Sequence, residues 1–239
     1  MNTNRRFGVS THLYHSQRLG REHLAEIAAH GFQIVEVLAV RTHFDFHNPA
    51  TVADLLQWLA EARLELHGLH VPADAAEEDA DHAVFVARQI PMRVVTLQVA
   101  RPKEAARQLD RLAGLAEPLG VRVAVDSNSQ GLSPVGSLVH FVEGLEHPIG
   151  ISLDFDQARR DGDLIDAIEA VSEHLVSALV PLESRIDWPA ALTTVQKVGY
   201  EGPLIFDSGS RAGSPITKAL LQQARTARER FEKLLCTHI

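Results

Sequence analysis

The sequence of 239 residues is 45% hydrophobic, 23% charged and 5% aromatic, and it carries a formal net charge of −8 and one cysteine. This length suits one large domain with a core of its own. The single cysteine, Cys236, excludes a disulfide framework and a thiolate metal cluster. The acidic balance argues against nucleic acid as a partner, because phosphate binding needs a clustered basic surface.

Two features of the sequence bear on its location. No apolar run approaches the roughly 20 residues of a membrane span, and the first segment, MNTNRRFGVS, lacks the apolar core of a signal peptide. We therefore predict a cytoplasmic protein with no membrane partner and a small molecule as its ligand. The oligomeric state stays open.

Short apolar runs alternate with longer amphipathic stretches along the chain. The runs are rich in Val, Ile and Leu, as expected of parallel strands covered on both faces, and they lie at 7–10, 33–38, 64–69, 93–99, 121–126, 149–154, 174–180 and 203–207. The helical patterns between them lie at 21–30, 49–62, 75–89, 102–119, 134–146, 162–172, 188–198 and 215–235.

Cap and turn residues support this alternation. A capping side chain stands at or next to a proline, as at many helix starts, in Asn48-Pro49, Ser133-Pro134, Asp187-Trp188-Pro189 and Ser214-Pro215. Glycines at predicted helix ends are Gly31, Gly120 and Gly199. Strand–helix units of about 30 residues indicate a single (β/α)8 barrel over residues 1–239. An open doubly wound sheet is the alternative, but the sequence lacks its G-x-G-x-x-G turn.

In a (β/α)8 barrel the active site is built at the C-terminal ends of the strands and in the loops that follow them. Those positions carry imidazoles, carboxylates and other polar groups: His12, His15, Arg41, His43, His47, His70, Gln98, Asp126, Asn128, Asp154, Asp156, Gln157, Asp207, Ser208 and Arg211. The set is more polar than the packing of a barrel end requires. We therefore predict one polar site at this mouth.

Several of these residues have a structural alternative. An aspartate at a strand end often caps the next helix, which leaves Asp126 and Asp207 open between capping and chemistry. Asp154 favours chemistry, because Asp156 is available as the cap. His70 suits either a substrate contact or a backbone hydrogen bond. Glu36, within the second strand, is either a pocket acid or a paired charge inside the barrel.

Long segments resemble the xylose isomerase-like TIM barrels, which include sugar-phosphate isomerases and epimerases and, more distantly, type IV AP endonucleases. The resemblance spans nearly the whole chain and is carried by VSTHLYHSQRL (9–19), HLAEIAAHGFQIVEVLAVRTHFDFHNP (23–49), ELHGLHVP (65–72), PLGVRVAVD (118–126), GISLDFDQA (150–158), IDWPAALTTVQKVGYEGPLIFD (186–207) and ARERFEK (227–233). It implies the barrel fold and carboxylate acid–base chemistry on a sugar-like substrate.

The resemblance also implies roles for individual residues. In that family a divalent metal is held by a glutamate ending strand 5, an aspartate ending strand 6, a histidine after strand 7 and a glutamate ending strand 8. Carried over by position, the metal ligands are Asp126, Asp154 and Asp207, and the catalytic acid–base pair is Asp126 and Asp207. The expected substrate contacts are His12, Arg41, His43, His70, Gln98, Gln157 and Arg211.

The sequence departs from the family pattern at the metal ligands. Aspartate replaces glutamate on strands 5 and 8, the strand 7 histidine is missing, and Gln157 replaces a histidine beyond strand 6. Replacing glutamate by aspartate withdraws a carboxylate by about 1 Å, whereas metal–ligand distances tolerate only about 0.2 Å. We therefore predict that Mn²⁺, Mg²⁺ or Zn²⁺ binds weakly or not at all. The loops after strands 3, 4 and 7 also look short, which predicts a more open mouth.

Two hypotheses about function follow, and the sequence does not decide whether the chain is an active enzyme. In the first, the chain is an isomerase- or epimerase-like enzyme that uses carboxylate acid–base chemistry on a small carbonyl or polyhydroxylated substrate. In the second, it is a pseudoenzyme or a redesigned barrel scaffold that binds a different ligand or runs metal-free acid–base chemistry. An AP-endonuclease role is disfavoured, because the histidine-rich metal cluster is missing and the net charge is wrong for DNA.

Overall fold

Eight parallel strands close into a barrel in the computed structural model, which describes residues 5–182, 185–208 and 217–237. The strands are Phe7–Ser10 (β1), Ile34–Leu38 (β2), Glu65–Val71 (β3), Val94–Leu97 (β4), Arg122–Asp126 (β5), Gly150–Asp154 (β6), Leu175–Pro181 (β7) and Leu204–Asp207 (β8). Each strand pairs with its neighbour in the chain, and β8 pairs with β1 to complete the ring. The predicted (β/α)8 fold is confirmed.

Helices surround the barrel. Within the described residues they are Arg21–Ala29 (α1), Pro49–Ala62 (α2), Glu77–Val86 (α3), Pro102–Ala116 (α4), Val135–Glu143 (α5), Phe155–Asp161 (α6), Leu164–Ala170 (α7), Trp188–Lys197 (α8) and Thr217–Thr237 (α9). Short 3₁₀ turns cover Thr11–Tyr14 and Glu117–Leu119. The sequence pattern does not predict α6, which begins directly at the end of β6.

The predicted caps have mixed outcomes. Asn48 and Asp187 each accept a hydrogen bond from a backbone N–H in the first turn, which confirms the starts of α2 and α8. The prediction that Ser133 caps α5 is wrong. The residue directly before this helix is Pro134, which has an extended backbone (φ −73°, ψ 174°), and no side-chain cap is formed. Ser214 lies outside the described residues. The three glycines predicted at helix ends all have left-handed φ values: Gly31, Gly120 and Gly199.

The barrel interior is built from stacked layers. Alternate residues of each strand point to the axis, and the strand registers place residues of every second strand at the same height. The central layer is Glu36, Thr96, Ser152 and Ile205. The layer above it, toward the C-terminal ends of the strands, is Ser10, His70, Asp126 and Leu179. The layer below it is Gly8, Gly68, Ala124 and Ser177.

The interior is partly apolar. Ile34, Leu179 and Ile205 form a small hydrophobic cluster of their own, separate from the large core between strands and helices. These three side chains come from β2, β7 and β8, and Val94 of β4 is buried at an inward position of the lowest layer. In the three layers above it, β3 to β6 contribute small or polar residues. An unpaired buried polar atom costs about 1–3 kcal/mol, so a polar barrel centre needs hydrogen-bond partners.

The outer core fixes the helices against the strands. It holds side chains such as Leu24 and Ile27 of α1, which are fully buried as the helical pattern predicts. Among the described helices, none combines the length and the apolar character that crossing a bilayer requires. The cytoplasmic location stays a prediction.

Candidate functional site at the barrel mouth

An imidazole lies between two carboxylates at the mouth. His70 is part of β3, and its Nε2 atom lies 3.0 Å from Asp126 Oδ2 while its Nδ1 atom lies 3.7 Å from Glu36 Oε1. Burial on its own would lower the pKa of His70, but the two carboxylates outweigh it and raise the pKa well above 6.5. At neutral pH His70 is therefore an imidazolium that holds a positive charge between Glu36 and Asp126.

An asparagine joins the carboxylates of β5 and β6. The backbone N–H of Asn128 donates to Asp126 Oδ1 at 2.7 Å, and its side-chain amide lies 3.2 Å from the same oxygen. The same amide donates to Asp154 Oδ2 at 2.9 Å. Asn128 thus bridges the two carboxyl groups, because its side-chain amide donates to both of them.

Asp154 caps α6, which corrects the expectation that Asp156 is the cap. Its Oδ1 atom accepts from the backbone N–H groups of Asp156 at 2.8 Å and Gln157 at 3.1 Å. The helix starts at the residue after Asp154, so Asp156 already lies within the first turn, where it pairs with Arg159 at 2.9 Å. Burial raises the pKa of Asp154 to about 6, although the hydrogen bond from Asn128 opposes that shift.

A second imidazole–carboxylate pair lies at the junction of β8 and β1. His12 Nδ1 lies 3.2 Å from Asp207 Oδ1 and 3.4 Å from Oδ2. Burial would lower the pKa of His12, but the hydrogen bond and charge of Asp207 outweigh it and raise the pKa. Burial would likewise raise the pKa of Asp207, and His12 outweighs it and lowers the pKa. The pair therefore favours an ionised carboxylate beside a protonated ring.

The two pairs face each other across the mouth. In a ring of eight strands β1 lies opposite β5, and β8 lies opposite β4. The pair of His12 and Asp207 therefore lies across the barrel axis from the pair of His70 and Asp126. The charge of His70 acts on the pKa values of both His12 and Asp207, as expected of groups that share one small space.

His43, a predicted substrate contact, is held within the protein by hydrogen bonds at both ring nitrogens. Its side chain is fully buried, Nδ1 lies 2.7 Å from the carbonyl oxygen of Gln17, and Nε2 lies 3.0 Å from Thr11 Oγ1. The Thr11 hydroxyl accepts from the Leu38 N–H at 3.0 Å, so its own proton is directed to His43. Burial lowers the pKa of His43. Both ring nitrogens are occupied, and none is free for a substrate.

Arg41 and Gln157 are not gathered into this cluster either. Arg41 is exposed, and its Nε atom lies 3.7 Å from Asp45 Oδ1. The Gln157 side-chain amide donates to Asp161 Oδ1 at 2.8 Å, one turn along the same helix. Gln157 therefore stabilises α6 with its side chain.

Gln98 and Arg211 are the two remaining residues predicted to contact the substrate. Gln98 follows β4 directly, and its amide lies 3.3 Å from the carbonyl oxygen of Asn128, which places it beside the cluster. It also lines a cavity of about 450 Å³ between the β3–α3 and β4–α4 connections. Arg211 lies outside the described residues.

The carboxylate oxygens at the mouth are already engaged within the protein. Both oxygens of Asp126 and of Asp154 accept N–H donors, although Asp126 Oδ2 and Asp154 Oδ2 each accept only one, and Asp207 faces the ring of His12. In the part of the chain that the structure describes, no group of three or more His, Cys, Asp or Glu side chains could hold a metal ion. The donors around these aspartates are amides and imidazoles.

Sequence reasoning identifies Glu36 and Asn128 without fixing their roles, and it misses Thr11. Glu36 is the paired charge inside the barrel, with His70 as its partner. The sequence could have predicted that Glu36 has a partner, because a charged residue at an inward position of an apolar strand needs a buried partner. No comparable signal exists for Thr11, whose partners are distant in sequence.

Comparisons with known proteins give structural likeness alone. No family model matches the sequence, and no curated protein matches it. The structure is similar to D-psicose 3-epimerase from Clostridium cellulolyticum, crystallised with D-tagatose, with a TM-score of 0.81, 14% identity, and coverage of 96% of this chain and 99% of that one. It is also similar to a xylose isomerase-like TIM barrel protein from Mycobacterium smegmatis in complex with magnesium, with a TM-score of 0.80, 11% identity, and coverage of 98% and 97%.

A third solved structure has a different kind of activity in its name. The probable 3-DHS dehydratase AsbF of Bacillus anthracis gives a TM-score of 0.74 at 12% identity, with coverage of 94% of this chain and 98% of that one. Identities this low show the fold and leave the reaction open. The chain has the fold of the xylose isomerase-like TIM barrels, and the resemblance noted in the sequence is confirmed at that level.

Proposed function

We propose that the barrel mouth catalyses proton transfer at a carbon next to a carbonyl or hydroxyl group of a small polyhydroxylated substrate, as an epimerase or isomerase does. The observation that carries this proposal is the pair of imidazole–carboxylate units, His12 with Asp207 and His70 with Asp126, on opposite sides of the mouth. The solved neighbours that bear epimerase and isomerase names support the same substrate class.

Groups on opposite sides suit an inversion. To invert a carbon, one group must remove a proton from one face and another must return a proton to the other face. A substrate lying across the mouth would have Asp207 on one side and Asp126 on the other. Asp207 is the better candidate for the base, because its lowered pKa keeps it ionised at neutral pH.

The imidazolium rings supply positive charge next to both carboxylates. The proton on His70 Nε2 lies in the 3.0 Å contact with Asp126 Oδ2, so that unit carries one proton that can be transferred. His12 offers the corresponding proton to Asp207. Fixed positive charge in a partly desolvated site stabilises the anion that forms when a carbon loses a proton. Asp154, with a pKa of about 6, is a third proton carrier near neutral pH.

The experiment is turnover with a panel of ketoses, aldoses and their phosphates, followed by NMR and by chromatography of the products. Asp126→Asn and Asp207→Asn are each expected to lose on the order of 100-fold or more of kcat, which is the usual contribution of a general acid or base. Asp110→Asn is the matched control, because it makes the same change at a carboxylate that accepts backbone N–H groups of Glu146 and His147, in the connection before β6 at the other end of the barrel. Full activity in either site variant would overturn the acid–base role of the aspartate that it replaces.

A ligand-binding barrel without turnover is the second candidate. It is favoured by one observation: the carboxylate oxygens of Asp126 and Asp154 are already engaged within the protein. The same substrate panel separates the two candidates. Thermal stabilisation by a sugar with no conversion of that sugar over days would favour binding alone.

A further inference from the structure

Several hydroxyl and carboxylate oxygens in the barrel centre have no hydrogen-bond partner within the described protein. They are Oε1 and Oε2 of Glu36 and the side-chain oxygens of Thr96, Ser152 and Ser177. All of these residues are fully buried, with 0% of their surface exposed. Other described serines and threonines in this barrel do find partners, as Ser127 does with the Asp154 N–H at 2.8 Å.

These oxygens lie close together in the fold. Glu36, Thr96 and Ser152 belong to the central layer of the barrel, and Ser177 belongs to the layer directly below. Ser152 and Ser177 are also register partners on the neighbouring strands β6 and β7. The side chains of all four residues point to the barrel axis, so their polar atoms face one common volume.

Small and polar residues surround these oxygens. The layer below the centre contributes Gly68 and Ala124, which carry little or no side chain. A barrel of this kind is usually filled by branched apolar side chains. In this protein the inward positions of β2 to β7 in these two layers carry a carboxylate, three hydroxyls, a glycine and an alanine.

We propose that this volume is an internal water site, in which a hydrogen-bonded group of water molecules joins the Glu36 carboxylate to the hydroxyls of Thr96, Ser152 and Ser177. Water is the ligand that fits, because it can donate to a carboxylate and both donate to and accept from a hydroxyl. Buried water usually makes about three hydrogen bonds to groups that would otherwise be unpaired.

The water site also supplies hydrogen-bond partners to the Glu36 carboxylate, which lies far from solvent. The nearest opposite charge is His70, and at 3.7 Å that contact is an ion pair without a hydrogen bond. Water molecules on the other side of the carboxylate would complete its hydrogen bonds. Glu36 is then a positioning residue: it holds His70 in the orientation that presents Nε2 to Asp126.

Oxygen-17 relaxation dispersion of water tests this directly, because it counts water molecules that stay inside a protein for longer than nanoseconds. Thr96→Val replaces the hydroxyl by a methyl group of the same size, and Ser177→Ala removes a second hydroxyl. Each variant is expected to lose at least one long-lived water relative to the wild type. Thr194→Val is the matched control, because the Thr194 hydroxyl already donates to the Ala190 carbonyl oxygen at 3.0 Å. The number of long-lived water molecules in this variant should equal that in the wild type.

An unchanged water count in both Thr96→Val and Ser177→Ala would overturn the proposal. A high-resolution crystal structure gives a second test that needs no variant to fold. We expect density between the Glu36 carboxylate and the Thr96 hydroxyl, at hydrogen-bond distance from both. Direct contact between those two side chains with no density between them would overturn the water site, as would a monovalent cation identified there by anomalous scattering. Neither measurement depends on turnover.

Discussion

Two histidines illustrate what sequence position can and cannot decide. His43 and His70 both follow or end an apolar strand, and the sequence predicts a substrate contact for both. His70 lies between two carboxylates and is charged, whereas His43 is buried and hydrogen-bonded to a carbonyl oxygen and a threonine hydroxyl. The partners of His43 come from residues 11 and 17, and no periodicity links them to it. Local pattern therefore identifies polar strand ends but not their partners.

The pKa of Asp154 makes a prediction about stability. Its folded-state pKa of about 6 lies above the ordinary value of 3.8, so between those values the folded protein binds more protons than the unfolded chain. Stability is expected to fall as pH rises through this interval, by up to about 3 kcal/mol, and to level off above it. Asp154→Asn keeps a capping oxygen and should lack this pH dependence. Urea unfolding of both proteins between pH 4 and 7 measures it, and a wild type that gains stability relative to the variant would contradict it.

The pKa of His12 depends on Asp207 with a definite sign. Burial lowers this pKa and Asp207 raises it, and the balance is a raised value. In Asp207→Asn the burial remains while the charge is lost, so the pKa of His12 should fall below that in the wild type. NMR titration of the ring signals measures this change. An equal or higher pKa in the variant would show that the two side chains do not pair, and the control Asp110→Asn should leave the titration unchanged.

At the scale of elements, the sequence predicts strands better than it predicts helix starts. Every predicted strand is present, because runs such as IVEVL and VVTL are apolar at all positions but one, as both faces of a buried parallel strand require. The pattern does not reveal the start of α6, because the helix begins within the segment Asp154 to Gln157, directly at the strand end. Asp154 ends the strand and its side chain accepts hydrogen bonds from the first N–H groups of the helix, so no loop separates β6 from α6.

Strand β3 contains a glycine that the barrel requires for space. A Cβ atom on Gly68 would lie 2.2 Å from the backbone carbonyl oxygen of Val94, which neither strand can avoid without moving. Gly68→Ala is therefore expected to destabilise the protein by about 3 kcal/mol or more, or to prevent folding. Gly136→Ala is the control: it lies in α5 with nothing within 4 Å of its Cβ position, and it should melt at or slightly above the wild-type temperature. Thermal unfolding by circular dichroism compares the three proteins, and equal melting of Gly68→Ala and wild type would contradict the contact.

At the scale of the whole molecule, alternation and length are enough to predict the closed barrel. The interior is not predicted, although the information is partly present: a Ser or Thr at an inward position of VVTL or GISLD places a hydroxyl on the barrel axis. What the sequence lacks is the register, since a shift of one residue would turn every such side chain outward. The registers that place Glu36, Thr96 and Ser152 in one layer come from the structure.

The donor set at the mouth predicts how the protein responds to metals. Because the oxygens of Asp126 and Asp154 already accept N–H donors, Mn²⁺, Mg²⁺ or Zn²⁺ would have to compete with those hydrogen bonds for the carboxylates. We expect calorimetry at millimolar metal to show no stoichiometric binding, and melting temperatures in chelator and in metal to agree. Tight one-to-one binding that Asp126→Asn or Asp207→Asn abolishes would show that the mouth rearranges into a metal site.

Proton exchange in heavy water measures whether the two imidazole–carboxylate pairs move protons at a substrate carbon without a metal. Protein treated with a chelator is incubated with ketoses and ketose phosphates in heavy water, and NMR follows deuterium at the carbons beside the carbonyl group. We expect enzyme-dependent deuterium incorporation in at least one substrate, undiminished by chelator and lost in Asp126→Asn and Asp207→Asn. Exchange that begins only after metal is added, or no exchange with any substrate, would contradict metal-free proton transfer at the mouth.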